Sequence, residues 1–585
     1  MKAYQNFTTA AYVYAYYLEE ADEEQIQRGI DYYRQYFHLD KVYLENHRGL
    51  VDISKERMRW AKEIFEKNGI QTSGGITSTG LVNGERKPSI FDTYCFTDPA
   101  HRAEYQRIVQ EIAEVFDEII LDDYFFTACR CEQCIRAKGK QTWAQYRLKL
   151  MENFSREIVD LAKKVNPRVN FIIKYPNWYE SYQETGYNPE KQKDIFDMIY
   201  AGTESRDPIY ASQHIQRYLS YSMVRLMENT APGRNGGGWF DLGGSGSNMN
   251  YYVEQAELTA FAKARELMLF NFESMIECPA LGALGQRMKR VDQLMSHTGK
   301  PMGVMAYEPY NGDGEDQLYN YLGMCGIPFE PTPDLPKNAP VVFFTASSAC
   351  DPDIMKKTEE YVRNGGNAVV TVGFFHKTYD QGIRDMTSVR LTNRHVSGRE
   401  YLIDNCQFDY SQMESTCGIE DVTFEALDYK TNATWSNLTL LVNEDNYPVF
   451  TEDNYGRGRL FILNVPENFA DLYKLPAKIT GNIAKIMTMG LPVYISSQAK
   501  YNLYQYDNNV FGIFCYHQMK DTCRIVVRGE HKGIQNLETG ERYTEKIKLI
   551  SPMHRGDSCT CVEEPEEYAI EVPMFGGQYA FYKLI

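Results

Sequence analysis

The stretch Ile119-Ile120-Leu121-Asp122-Asp123-Tyr124 decides how the first half of this chain folds. Three apolar residues that run into two adjacent acids are typical of a buried parallel strand with carboxylates at its C-terminal end. Barrels and open α/β sheets keep their chemistry at that end of their strands. The stretch therefore predicts an α/β fold with acid–base chemistry beside Asp122 and Asp123. Because successive strand side chains point to opposite faces, we expect one acid in the site and the other in the scaffold.

Apolar runs alternate with helical stretches up to about residue 300, which indicates repeated βα units. We predict eight strands, at about 10–17, 41–45, 70–75, 117–123, 169–175, 197–203, 221–228 and 266–273. Eight such units in this length predict a (β/α)8 barrel. Polar and aromatic groups follow several of these strands and would surround one mouth. They are His47, Asp122, Asp123, Lys174, Trp178, Glu204, Arg206, Glu228 and Glu273.

Two further domains follow the predicted barrel domain, 1–300. Residues 301–495 contain the strand patterns Pro340–Thr345 and Ala368–Val372 around a helix stopped by Gly365-Gly366, which predicts a flavodoxin-like α/β domain. Residues 496–585 lose the helical period and alternate, which predicts a small β-sandwich. The chain lacks both Gly-x-Gly-x-x-Gly and a P-loop, so we expect no organic cofactor.

Net charge and composition limit the classes of molecule that the protein is expected to bind. The formal net charge of -17 would repel phosphate backbones and anionic lipid, so nucleic acid and membranes are poor partners. The 44 tyrosines suit a site that stacks on apolar sugar faces and hydrogen-bonds hydroxyls, although an aromatic core explains them equally well. The sequence contains no apolar segment long enough for a membrane helix, and its first residues do not form the apolar core of a signal peptide. We therefore expect a cytoplasmic protein, or a periplasmic one if the chain was trimmed.

Cysteines directly after the first acids suggest a metal. Cys129-x-Cys131-x-x-Cys134 supplies three thiolates within one turn, and Cys95 lies one βα unit earlier, where it could be the fourth ligand. Four soft ligands suit tetrahedral zinc in a closed, structural site. Such a metal would brace the loop beside the carboxylates. Reduced surface thiols are the alternative.

The chain resembles the family 42 glycoside hydrolases, which are β-galactosidases, and the related family 164 β-mannosidases. The resemblance rests on three motifs: an acidic pair with Tyr124 after the fourth strand, the Cys129-x-Cys131-x-x-Cys134 loop, and Met227-Glu228 followed by Pro232-Gly233. It implies a retaining, exo-acting glycosidase on β-linked hexosides of galactoside or mannoside type, with structural zinc. It also implies that 301–495 is a glutamine-amidotransferase-like trimerisation domain, and hence a homotrimer.

The same resemblance implies roles for individual residues. Asp123 would be the acid/base and Glu228 the nucleophile. Aspartate where the family has glutamate draws the carboxyl back by about 1.5 Å, so inversion, which needs a wider gap, stays open. Predicted substrate-binding residues are Asp122, Lys174, Trp178, Glu204, Arg206, Trp239, Glu273 and His47.

Three alternatives remain. An α-glycosidase-type barrel would use Asp122 or Asp123 with Glu204. In a non-catalytic carbohydrate-binding protein, the departures from the family motif would mark a decayed catalytic site. A working amidotransferase would need a cysteine on a glycine-flanked elbow, and Cys350 has no such glycines.

Overall fold

The computed structural model describes residues 3–206, 211, 213, 215–243, 248–404, 413–549 and 567–585. The chain divides into two compact units, Met1–Ser296 and His297–Ile585. The first boundary agrees with the predicted end of the barrel near residue 300. The further division between 301–495 and 496–585 stays a prediction.

Eight parallel strands form a closed barrel in the first unit, which confirms the predicted fold. The ring closes because the first strand pairs with both the second and the last. The strands are β1 Thr8–Val13, β2 Lys41–Gly49, β3 Gln71–Gly80, β4 Glu118–Leu121, β5 Asn170–Tyr175, β6 Met198–Gly202, β7 Asn235–Asp241 and β8 Glu266–Phe270. A short strand, Val51–Asp52, pairs with the end of β2.

Helices cover the outside of this ring, and large side chains fill its inside. The helices are α1 Ala15–Glu20, α2 Glu23–Tyr36, α3 Lys55–Lys67, α4 Pro99–Ala113, α5 Glu132–Lys138, α6 Trp143–Val165, α7 Tyr182–Thr185, α8 Pro189–Gln192, α9 Leu219–Thr230, α10 Met249–Phe261 and α11 Pro279–Met295. The interior is packed by Ala10, Tyr12, Tyr43, Ile120, Ile172, Tyr200, Trp239 and Met268. The barrel is therefore a solid core that leaves its C-terminal mouth for chemistry.

One predicted strand is wrong. Residues 221–228 lie in helix α9, and the seventh strand is β7, which contains Gly236-Gly237-Gly238. Helix α9 is buried over nearly its whole surface, so its sequence lacks the polar stripe that identifies a surface helix. Glycine is depleted in strands, and so β7 resembles a loop in sequence.

Close packing explains the glycines of β7. A Cβ atom on Gly237 would lie 2.4 Å from the backbone oxygen of Glu266, and one on Gly238 would lie 2.4 Å from Thr259 Cγ2. Neighbouring backbone and side chains therefore occupy the space that a larger residue would need. These glycines allow the strand that carries Trp239 and Asp241 to fit into the ring.

The second unit contains a nine-stranded sheet of the doubly wound kind predicted for 301–495. In spatial order its parallel strands are Phe329–Thr332, Val304–Tyr307, Val341–Phe344, Asn367–Thr371 and Gly458–Leu463, followed by antiparallel Asp445–Tyr455, Trp435–Val442, Arg390–Ile403 and Glu414–Asp428. The helices of this unit are α12 Leu318–Gly323, α13 Ile354–Arg363, α14 Val372–Thr378 and α15 Ala477–Met487.

Two smaller antiparallel sheets complete the second unit as the predicted β-sandwich. One contains Pro301–Met302, Tyr501–Tyr506, Val510–Cys515, Gln578–Leu584, Ile534–Asn536 and Arg542–Tyr543. The other contains Val493–Ile495, Asp521–Arg528, Glu567–Met574 and Ile547–Lys548. Both contribute to one hydrophobic core that includes Leu503 and Ile525. Part of the predicted sandwich, 550–566, lies outside the described residues. No helix in the described part of the chain is long and apolar enough to cross a membrane.

Candidate active site

Carboxylates and cations gather where barrel strands β4 to β7 end. Asp122 and Asp123 follow β4, Lys174 lies in β5, Glu204 follows β6 by two residues, and Asp241 is the last residue of β7. Because parallel strands end on the same side of the barrel, these side chains share one mouth. The sequence prediction placed all of them there except Asp241.

Lys174 joins two of the carboxylates. Its side chain is 2% exposed, and its Nζ lies 2.7 Å from Glu204 Oε1 and 3.0 Å from Asp123 Oδ2. Those two oxygens are therefore no more than about 5.7 Å apart, which is 2.7 Å plus 3.0 Å. Burial lowers the pKa of Lys174, but Asp123, Glu204 and Asp122 outweigh burial and hold this pKa above its ordinary value. The ammonium is consequently charged.

Asp123 is a carboxyl that holds a proton near neutral pH. Burial raises its pKa, Lys174 lowers it in part, and the charges of Asp122 and Glu204 raise it again, so the pKa of Asp123 is about 8. A carboxyl that is protonated near neutral pH can act as a general acid.

Asp122, in contrast, is ionised and serves as scaffold. Its Oδ2 accepts hydrogen bonds from Arg48 Nη2 at 2.7 Å and from Thr77 Oγ1 at 2.9 Å. Its Oδ1 accepts the backbone N–H of Asp123 at 2.8 Å, which fixes the backbone of the acid. Burial raises the pKa of Asp122, but Arg48 and then Lys174 hold it below the ordinary range. Strand alternation does not separate the two acids because β4 ends at Leu121.

One carboxylate oxygen of Glu204 accepts a hydrogen bond, and the other accepts none from the described residues. The residue is 3% exposed, and Asn177 Nδ2 donates to its backbone oxygen at 2.8 Å. Oε1 accepts from Lys174, whereas Oε2 is buried and has no hydrogen-bond partner among the described residues. Oε2 packs close to Gly202: a Cβ atom on that residue would lie only 2.7 Å from Oε2. A buried carboxylate oxygen with open lone pairs can attack an electrophilic carbon.

Arg206 and Asp241 form a further pair at this mouth. Arg206 Nη1 lies 2.8 Å from Asp241 Oδ1, and Nη2 lies 3.3 Å from Oδ2. Burial raises the pKa of Asp241, and Arg206 counteracts this only in part. Arg206, predicted to bind substrate, therefore binds a carboxylate of the protein. Asp241 was missed because its strand was taken for a loop, although Trp239-Phe240-Asp241 after a glycine run was the available signal.

Glu228 lies away from this mouth. It occupies the last turn of helix α9 and pairs with Arg265, whose Nη1 is 3.1 Å from its Oε2. Arg265 also donates to the backbone oxygen of Asn235, the first residue of β7. Glu228 is thus at the N-terminal ends of the strands, opposite to Asp123. The prediction that Glu228 ends the seventh strand is wrong, because the apolar run before it is a buried helix.

The remaining residues that were predicted to bind substrate differ in exposure and in hydrogen bonding within the protein. His47 is 3% exposed, with Nδ1 2.6 Å from Asp52 Oδ1 and Nε2 2.7 Å from the backbone oxygen of Thr79, so both ring nitrogens are engaged. Trp239 is 1% exposed, and its ring centroid lies 4.3 Å from Lys174 Nζ. Trp178 is half-buried. Glu273 begins a short 3-10 helix after β8, and burial raises its pKa to about 7.

Four cysteines form a cluster beside this site. The Sγ atoms of Cys95, Cys129, Cys131 and Cys134 all lie within 4.8 Å of one another. Cys95 is 3.8 Å from Cys131 and 3.5 Å from Cys134, and Cys131 is 3.7 Å from Cys134. Sulfurs at tetrahedral corners with metal–sulfur bonds of about 2.3 Å are about 3.8 Å apart. The spacing and the donor set therefore fit a metal ion.

Comparisons with known proteins agree with the fold and the class of site. A family described as "probable glycosyl hydrolase, catalytic domain" matches residues 1–296, and the second domain of the uncharacterized protein SSO3021 matches 299–468. SSO3021 of Saccharolobus solfataricus is 30% identical over 300 residues, covering 46% of this chain and 49% of SSO3021. The chain thus spans about half the length of that curated relative.

Solved structures extend the likeness over the whole chain. A β-galactosidase from Rahnella sp. R3 superposes with a TM-score of 0.66 at 10% identity, covering 100% of this chain and 99% of that one. The β-galactosidase of Bacillus circulans sp. alkalophilus gives 0.62 at 10% identity, with 100% and 99% covered. An exo-β-1,4-mannosidase from an Opitutaceae bacterium gives 0.51 at 11% identity, with 79% and 92% covered. At these identities the structures establish the fold alone.

A closed barrel with carboxylates gathered at its C-terminal mouth is an arrangement that glycoside hydrolases share with other barrel enzymes. The match over 1–296 shows that this chain belongs to the family of probable glycosyl hydrolase catalytic domains.

Proposed function

We propose that the chain is an exo-acting, retaining glycosidase that uses Asp123 as acid/base and Glu204 as nucleophile. The observation that carries this proposal is the ammonium of Lys174, which holds one oxygen of each carboxyl within about 3 Å. Retaining enzymes keep their two carboxyl groups roughly 5–5.5 Å apart, whereas inverting enzymes need roughly 6.5–9.5 Å. The bridged oxygens, Asp123 Oδ2 and Glu204 Oε1, are no more than about 5.7 Å apart, a spacing that is compatible with the retaining range.

The two carboxyls then have complementary roles. Asp123 donates its proton to the glycosidic oxygen while Glu204 Oε2 attacks C1, and the leaving group departs as an alcohol. The product of this step is a glycosyl ester on Glu204. Asp123, now ionised, takes a proton from water as that water attacks C1, which releases the sugar and frees Glu204. Lys174 stabilises the negative charge that moves between the two groups.

We propose β-linked galactosides or mannosides, including oligosaccharide ends, as substrates. The β-galactosidases and the exo-mannosidase with this fold support that choice. The test is a panel of nitrophenyl galactosides and mannosides in both anomers, with the first-formed sugar followed by NMR. We expect turnover of a β-glycoside and release of the β-anomer. Release of the α-anomer from a β-glycoside would contradict retention.

An α-glycosidase is the second candidate. Carboxylates after strands β4 and β6 correspond to the α-glycosidase-type arrangement, and Glu204 is bridged to Asp123 whereas Asp241 is paired with Arg206. Turnover of α-glycosides alone in the same panel would favour this candidate. It would leave the carboxylate pair in place and overturn the β preference.

We further propose that the metal of the cysteine cluster is zinc in a structural role. Four thiolates suit tetrahedral zinc and leave no position for substrate or water. When bound, the metal would tie Cys95 to the loop that carries Cys129, Cys131 and Cys134. That loop follows Asp123 within a few residues.

A homotrimer and a cytoplasmic location complete the proposal. The trimer rests on the amidotransferase-like sheet of the second unit, and sedimentation equilibrium at micromolar concentration tests it. A monomer there would contradict it. The cytoplasm is proposed because its reducing conditions keep metal-binding thiols intact.

A further inference from the structure

Glu273 has a carboxylate oxygen to which no described residue donates a hydrogen bond. Its Oε2 is buried and accepts no hydrogen bond among the described residues, while its carboxyl interacts with the backbone of Tyr14 and of Glu273 itself. A buried acceptor without a donor is costly. A bound ligand with a hydroxyl group would remove that cost.

An aromatic floor runs from Glu273 to the catalytic pair, and its accessible rings are Tyr14 and Phe270, whereas Trp239 is buried at its far end. The ring centroids of Tyr14 and Phe270 are 5.0 Å apart, those of Phe270 and Trp239 are 5.5 Å apart, and Lys174 lies over Trp239. Tyr14 and Phe270 are only half-buried, so their rings are accessible. Rings of this kind pack against the C–H face of a sugar. A sugar on this floor would have Glu204 towards one end and Glu273 towards the other.

The cations at this mouth are already engaged by carboxylates. Arg48 binds Glu45 and Asp122, Lys174 binds Asp123 and Glu204, and Arg206 binds Asp241. An anionic group on a sugar would therefore face Glu273 without a counter-charge from these three side chains. Like charges in a partly buried site repel strongly.

From these contacts we propose, resting on the proposed glycosidase function, that Glu273 determines specificity: it accepts a hydroxyl of the bound sugar and excludes sugars that carry a carboxylate. The substrate class is thereby narrowed to uncharged hexosides. Uronides are rejected although they differ from these hexosides only at the exocyclic carbon.

The test compares a nitrophenyl hexoside with the corresponding uronide at about pH 9, about two pH units above the pKa of Glu273, so that Glu273 cannot readily take up a proton to relieve the repulsion. The wild-type protein should then prefer the uncharged sugar by a factor of up to about 100 in kcat/KM. Glu273→Gln keeps the shape but removes the charge, so it should lower kcat/KM for the hexoside about 10- to 100-fold, mainly through KM. It should also narrow the preference over the uronide at least tenfold. Glu20→Gln, an exposed glutamate on α1, is the matched control and should change neither value.

Equal turnover of hexoside and uronide by the wild-type protein would overturn the inference, and this outcome needs no variant. An unchanged preference in Glu273→Gln would overturn it as well. Calorimetry with free galactose, mannose and their uronic acids on Glu204→Gln separates the two proposals. Selective binding of the neutral sugars without any turnover by the wild type would refute the glycosidase and support the role of Glu273. Turnover without selectivity would do the reverse.

Discussion

Replacement of Lys174 by methionine is the most informative single perturbation of this site. Methionine retains much of the length and the apolar stem of lysine but removes the ammonium between Asp123 and Glu204. The carboxyl groups of Asp122, Asp123 and Glu204 would then share a buried site without that cation. We expect lower activity, lower stability and a shifted pH profile.

The magnitude follows from the geometry. Two unit charges about 3 Å apart interact by roughly 5 kcal/mol at an effective dielectric constant of about 20. Glu204 is such a partner of Lys174 at 2.7 Å, whereas Asp123, at 3.0 Å, holds a proton near neutral pH and contributes less. Desolvation offsets much of this attraction. Removing one member of a buried ion pair typically costs about 3–5 kcal/mol in the free energy of unfolding. Loss of a similar amount from the transition state would lower kcat/KM by at least about 100-fold.

The assays are kcat/KM against pH and denaturant unfolding. Lys174 lowers the pKa of Asp123, which is about 8, so its removal should raise that pKa and move the alkaline limb of kcat/KM to higher pH. The double variant Lys174→Met with Glu204→Gln removes one charge of each sign and should recover part of the lost stability. Lys174→Met with unchanged stability and an unmoved alkaline limb would refute the bridging role.

Three other perturbations test separate parts of the site. Gly202→Ala puts a Cβ 2.7 Å from Glu204 Oε2 and should lower kcat at least tenfold, whereas Gly282→Ala, whose Cβ would meet Tyr36 at an ordinary 3.5 Å, should not; equal kcat values would contradict the packing argument. Cys131→Ser should lose a zinc ion detectable by mass spectrometry and lower the melting temperature, and the exposed Cys417→Ser should do neither. The folded-state pKa of Asp123 lies above its ordinary value of 3.8, so the contribution of Asp123 to stability falls as pH rises from about 4 to about 8. Asp123→Asn cannot ionise and so does not lose stability in this pH range. The melting temperature of the variant minus that of the wild-type protein should therefore be larger at pH 8 than at pH 5. The same difference in melting temperature at both pH values would contradict the raised pKa of Asp123.

Strong local patterns made much of the barrel predictable. The run before Asp122 is short, apolar and ends in acids, and β5 and β6 have the same character, so their polar ends were identified correctly. The cysteine cluster was also visible, because three of its members lie within six residues. These signals are local in sequence.

The seventh strand was not predictable from local patterns. The identity of β7 depends on how closely Glu266 and Thr259 approach Gly237 and Gly238, which no local pattern encodes. Helix α9 offered a better strand pattern than the strand itself. Consequently the motif Met227-Glu228 was assigned to the mouth, and Asp241 was overlooked.

The choice of Glu204 over Glu228 is tested most directly by kinetics of the two matched variants Glu204→Ala and Glu228→Ala, with azide as an external nucleophile that can occupy the space left by the carboxylate. The account predicts that Glu204→Ala loses at least about 1000-fold in kcat and regains turnover with azide as a glycosyl azide of inverted configuration, while Glu228→Ala stays within about threefold of the wild-type protein. Full activity of Glu204→Ala together with an inactive, azide-rescued Glu228→Ala would contradict it.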